Sequence, residues 1–226
     1  MRKELWLIWK EPNTRRRYTV GTLIQDIDGY TFKYFQDTVK SIEKLGFDFF
    51  PGFEETEKIY HSNKLFTSIL NRLPNPIRTD YETILKSYGL SRNSSEVEIL
   101  EITKGRLLTD NYEFVPAFNK NKIEFDLAGT RHCQDFEKCR DILKIGDKLI
   151  LELEDKNKYD ENAIVVLFDE EKRYKIGYVP RYYSKPLAEL LKEDVTYSAK
   201  VINIKIESLI KDEIISGKVE LFFKNK

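Results

Sequence analysis

With 226 residues, 41% of them hydrophobic and aromatic residues spread along its length, the chain can form two modest domains that bury cores without disulfide or metal staples, which excludes a disordered chain. Lys+Arg and Asp+Glu both total 38 and balance within each half, which excludes sequence-blind attraction to duplex nucleic acid or anionic membrane and leaves only local contacts. Apolar runs such as "AIVVLF" are too short to cross a bilayer, the start "MRKELWLIWKEPN" lacks a secretory signal, and Cys133 and Cys139 fit reduced thiols, so a cytoplasmic protein is expected.

In chain order, "ELWLIW" reads as a strand, and "YTVGTLIQDIDGYTFKY" as two strands joined by an Asp-Gly turn. Helical spacing follows. "QDTVKSIEKLGF" sets Val39, Ile42 and Leu45 on one face and stops at Gly46, and "DYETILKSYGL" aligns Tyr81, Ile84, Leu85 and Tyr88 before Gly89. Ser95 and Glu98 have capping-box spacing, with Val97, Leu100 and Ile102 behind them. "LFTSILNRLPNPIR" reads as an amphipathic helix ended by Pro74, with Asn71, Arg72 and Arg78 as local caps and ion pairs. The first domain is therefore expected to be α+β and to span 1–118.

A polar stretch around "VPAFNKNK" is the linker expected between it and a second domain, 119–226. Six strand patterns follow: "IEFDLAG", "DKLILELED", "AIVVLF", "YKIGYVP", "TYSAKVINIKIE" and "GKVELFF". One helix, "SKPLAELLKE", interrupts them, with Ser184 as its N-cap. Short strands with a single inserted helix predict a small, mostly β barrel.

Enzyme signatures are missing. The chain has no Walker loop, no dinucleotide-binding glycine motif, no nucleophile elbow and no zinc helix, so no catalytic residue and no cofactor is assigned, and the chain is read as a non-enzyme. His132, Cys133 and Cys139 fall short of the four ligands of a tetrahedral zinc site, so no metal is expected. Glu54 with Glu55 and Glu170 with Glu171 read as solvated surface pairs.

Three motifs stand in order in the second half: "AGTRHCQDF" (128–136), "DKNKYDENAIVV" (155–166) and "KIGYVPRYYSKPLAELL" (175–191). Together they resemble the HIRAN domain, a module of some DNA-repair helicases and of stand-alone bacterial and phage proteins. The matching positions are Gly129 with Arg131, Asn157 to Ile164, and Gly177 to Arg181. The resemblance implies a small β-barrel that captures the 3′-hydroxyl end of single-stranded DNA. It implies that Arg131 and Arg181 contact terminal phosphates, that Tyr159 stacks on the last base, and that Asp160 accepts a hydrogen bond from the 3′-hydroxyl. His132 stands where the family often has a tyrosine, offering a smaller stacking face, and Tyr178 completes the DNA-binding set.

Each of these residues also has a plain structural reading. Asp160 and Asn162 can bond their own backbone in a turn, Arg131 and Arg181 can be surface residues, and Tyr178 can simply cover the barrel beside Gly177 and Pro180.

The first half resembles the N-terminal subdomain of HipA-type toxin kinases in "VGTLIQDIDGYTFKY", "GFDFFPGF" and "YHSNKLFTSILNRLPNPIRTDYETILKSYGL". No ATP-binding or catalytic motif of that kinase accompanies it, so kinase activity is not carried over. Two functions follow: a non-catalytic DNA-end binder serving repair, replication or mobile elements, and an antitoxin-like or accessory module for a separately encoded HipA-like kinase.

Overall fold

Alternating apolar residues at the start of the chain pair into a sheet before any helix appears. The computed structural model describes residues 2–139, 141–169, 172–193, 195–205 and 214–223. It divides into two units, Met1–Ala117 and Phe118–Lys226.

In the first unit, strands β1 (Lys3–Lys10), β2 (Arg17–Asp26), β3 (Gly29–Tyr34), β4 (Tyr60–Ser62) and β5 (Tyr112–Pro116) form an antiparallel sheet in the order β4-β3-β2-β1-β5. The Asp28-Gly29 turn forms as expected. Gly29 sits at φ 123, and a Cβ there would lie 2.5 Å from the Ser62 carbonyl oxygen, so glycine alone fits. Leu5, Leu7, Trp9, Val20 and Leu23 face a core of aromatic rings, in which Phe32 and Phe53 lie 4.2 Å apart between centroids. Such ring pairs add directional attraction to the burial of large apolar area.

The helices covering this core are shorter than their patterns suggest. Helix α1 (Gln36–Ile42) passes into a 3-10 turn ending at left-handed Gly46, which leaves Leu45 exposed. The expected helix across "LFTSILNRLPNPIR" is only α2 (Thr67–Leu70). Pro74 disfavours helical geometry at Leu73, and buried Arg72 is anchored elsewhere, donating to the Gly105 and Tyr112 carbonyls and to both carboxylate oxygens of Asp110. Arg78 pairs with Asp80 in the same bidentate way. In α3 (Tyr81–Ser87), Tyr81 and Leu85 are buried while Tyr88 is exposed. Helix α4 (Glu96–Thr103) begins at the expected capping box of Ser95 and Glu98. It buries Val97 and Leu100 in the aromatic core and Ile99 against Tyr81 and Leu85 of α3, while Ile102 is exposed.

In the second unit, β6 (Lys122–Asp126), β7 (Lys148–Leu153), β8 (Ile164–Asp169), β9 (Arg173–Tyr178), β10 (Val195–Ile204) and β11 (Ile215–Phe223) form an antiparallel sheet in the order β6-β11-β10-β7-β8-β9. The sheet curls towards closure: Ala128, just past β6, exchanges backbone hydrogen bonds of 2.9 and 2.8 Å with Tyr178 at the end of β9. Register shifts at Val166/Leu167 and Val201/Asn203 mark bulges, which bend strands as such a curl requires. The mixed, mostly β architecture is the expected one.

Helix α6 (Arg181–Lys192) starts four residues earlier than expected, with Pro180 at the N-cap and Ser184 buried inside the helix, so Ser184 is not a cap. A four-residue helix, α5 (Phe136–Cys139), packs against β9 and buries Phe136 and Cys139. Burial pushes the Cys139 thiol up to about 11, which keeps it protonated and unreactive at neutral pH. The Glu170 and Glu171 pair and the end of "TYSAKVINIKIE" beyond Lys205 lie outside the described residues. Among the described residues no helix is long and apolar enough to cross a membrane, and no group of three or more His, Cys, Asp or Glu gathers to hold a metal.

Candidate nucleic-acid interface

The loop between β7 and β8 is built by short polar side chains bonding nearby backbone, which is why Asn and Asp occur there. Asn157 Oδ1 accepts from the backbone N–H of Tyr159 at 2.9 Å and of Asp160 at 3.1 Å. Asp160 Oδ1 accepts from the Asn162 N–H at 3.0 Å, closing the next turn. The turn reading of Asp160 is therefore real, and it uses one carboxylate oxygen.

The other oxygen, Oδ2, accepts from the Ser184 hydroxyl at 2.6 Å, tying the loop to helix α6. That hydroxyl also lies 2.8 Å from the Arg181 carbonyl, but the charged carboxylate is the stronger acceptor for its single proton. Arg181, first in the helix, donates from Nη1 to the Tyr159 carbonyl at 2.5 Å. Tyr159 is thus held through its backbone from both sides, while its side chain stands out and the residue is 75% exposed.

Glu154 joins this corner to the barrel seam. Its carboxylate accepts from Asn157 Nδ2 at 2.5 Å, from Lys175 Nζ at 2.7 Å and from the Tyr178 hydroxyl at 3.0 Å. Burial alone would raise its pKa, but these three donors outweigh it and hold the carboxyl below the ordinary range. Lys175 Nζ lies 4.6 Å from the Tyr178 ring centroid, so Tyr178 is a strut with one face covered.

The seam also carries the first motif segment. Gly129, at φ 67, follows Ala128, and a Cβ there would lie 3.3 Å from the Tyr178 ring. After it comes a 3-10 turn, Thr130–His132, in which Arg131 and His132 are exposed and Arg131 Nε lies 3.0 Å from His132 Nε2. A path of bonded neighbours therefore runs from residues 128–132 through Tyr178, Glu154 and Asn157 to Tyr159, Asp160 and Arg181.

Residues 120–217 match the HIRAN domain family model. The second unit carries a HIRAN domain. Among solved structures, a protein from Lactobacillus plantarum is 25% identical, with 44% of this chain and 92% of that chain covered at a TM-score of 0.35. The HIRAN domain of human HLTF is 14% identical, with 45% and 73% covered at a TM-score of 0.33. No curated protein matches the chain.

Within this HIRAN domain, Glu154, Asn157, Lys175 and Ser184 are positioning groups outside the expected DNA-binding set. Asn157, Lys175 and Ser184 lie inside the motif segments, whereas Glu154 falls one residue before the second of them. Ser184 was hidden by its resemblance to a helix cap.

Proposed function

We propose that the HIRAN domain binds the 3′-hydroxyl end of single-stranded DNA and that the chain acts as a non-catalytic binding protein. The observation that carries this reading is Tyr159: an exposed aromatic on a backbone locked by Asn157 and Arg181. Base stacking needs a fixed, accessible ring and tolerates any base, which suits recognition of an end rather than a sequence.

Asp160 lies next to that ring, and each of its oxygens has one described partner, leaving lone pairs to accept a 3′-hydroxyl. A 3′-phosphate in the same place would face the carboxylate, and like charges in contact reject the wrong ligand. Arg181 and Arg131 supply cations for terminal phosphates, His132 offers a second ring, and Tyr178 forms the supporting wall. Fluorescence anisotropy of a short oligonucleotide ending in a 3′-hydroxyl, compared with its 3′-phosphorylated twin, tests this reading. The hydroxyl form is expected to bind more tightly; equal affinity removes the role of Asp160, and no binding of either removes the assignment.

A second reading concerns the first unit, where Ile77 and Leu108 are fully exposed, at 89% and 107%. It would bring the chain to a protein partner, for which the sequence resemblance suggests a HipA-type kinase. Co-purification from the native cell, with and without Leu108→Lys, tests it.

A further inference from the structure

The first unit gathers more positive charge than its nearby carboxylates balance. The turn from β1 to β2 runs Lys10-Glu11-Pro12-Asn13-Thr14-Arg15-Arg16-Arg17, and the strand register sets Lys10 directly opposite Arg17. Like charges facing each other across antiparallel strands repel. Arg106 reaches the same place from the segment before β5, since it and Arg17 share the buried carboxylate of Glu113. Arg17 Nε donates to Oε1 at 2.8 Å and Arg106 Nε to Oε2 at 2.6 Å.

Both nearby acids are committed. Glu113 lies between two guanidinium groups, and Glu11 turns back on its own loop to accept from the Asn13 N–H at 2.9 Å and from Thr14. Lys10 is consequently held below its ordinary pKa, first by burial and then by Arg15 and Arg17, with Glu113 opposing only in part. Arg15 and Lys104 are the non-glycine residues with positive φ among those described, at 60° and 59°. Lys104 adds its charge at Glu113, as Arg15 does at Lys10. The fold thus tolerates an uncommon backbone at two cations that belong to this cluster.

We propose that Lys10, Arg15 and Arg17, backed by Arg106, form a binding site for a phosphate group, either free phosphate or a phosphate of a nucleic-acid strand. Among the described contacts Arg17 uses only Nε on Glu113, so its terminal nitrogens remain for a ligand, and the guanidinium fork matches phosphate oxygens. A bound dianion would also relieve the repulsion between Lys10 and Arg17. This site lies in the first unit and does not rest on the DNA-end reading of the second.

The chain's two tryptophans, Trp6 and Trp9, both lie in β1, so their fluorescence reports on this end of the first unit. The test uses the full chain carrying Arg131→Gln and Arg181→Gln, which silences the candidate DNA site. Phosphate is expected to change tryptophan emission saturably while chloride at equal ionic strength does not. Lys10→Gln and Arg15→Gln, chosen because neither side chain makes a described ion pair, are each expected to weaken the response roughly tenfold, the loss of one charge-assisted hydrogen bond. Tighter binding of a single-stranded oligonucleotide than of phosphate identifies a strand as the source, and equal binding identifies free phosphate. The proposal is overturned if neither ligand gives a saturable response, or if both variants keep parental affinity at an unchanged melting temperature.

Discussion

Tyr159 and Arg181 meet through a backbone carbonyl, so their side chains can be changed separately without dismantling the turn, which Asn157 holds. Tyr159→Ala is expected to cost ~1–3 kcal/mol of DNA-end affinity with no loss of thermal stability, as anisotropy and a melting curve would show. Arg181→Gln separates two roles. If the guanidinium meets a phosphate, the slope of log affinity against log salt falls by about 0.7, and if it is only a strut, affinity drops with the slope intact. At this scale the motif made Tyr159 and Asp160 legible in the sequence. What Asp160 bonds was not, because Ser184 reaches it from 24 positions away.

Two charged side chains act at the level of whole elements. Glu154 receives donors from the β7–β8 loop and from β9, and so joins the loop that presents Tyr159 to the seam of the barrel. An amide oxygen accepts more weakly than a carboxylate, and its NH2 group faces the donors with a donor. Glu154→Gln is therefore expected to loosen residues 157–163 and weaken DNA-end binding several-fold, with faster amide exchange confined to that loop as the check. Arg72 plays the corresponding part in the first unit, joining the end of α2 to Gly105, Asp110 and Tyr112. Arg72→Met would leave the Asp110 carboxylate and two carbonyls without their donor, and is expected to cost about 3–5 kcal/mol in chemical denaturation. Strands and the α4 cap could be read locally, since alternation and capping depend on neighbours in sequence. The truncation of α2 and the early start of α6 could not, because Arg72 and Ser184 are fixed by distant partners.

Across the molecule, a net charge of zero conceals local imbalance, and acid should expose it. Burial alone would raise the pKa of Glu113, but Arg106 and Arg17 overcome it and hold the carboxyl at about 2. An unfolded glutamate titrates near ~4.3, so the unfolded chain takes up the proton first. The stabilisation is present in full above about pH 5 and is lost as pH falls through 4 towards 2. Denaturation midpoints at pH 7, 4 and 3 are expected to fall steeply for the native chain. For Glu113→Gln they are expected to start lower and fall less.

The amino-acid order alone gave six strands after residue 118, the class of both halves and a set of motif residues, because period-two alternation, turn chemistry and motif spacing are properties of adjacent residues. The sharing of Glu113 by Arg17 and Arg106, the tethering of Asp160 by Ser184 and the closing contact of Ala128 with Tyr178 arose only on folding. Each joins residues far apart along the chain, and burial and charge pairing take effect only when the backbone has brought them within a few ångströms.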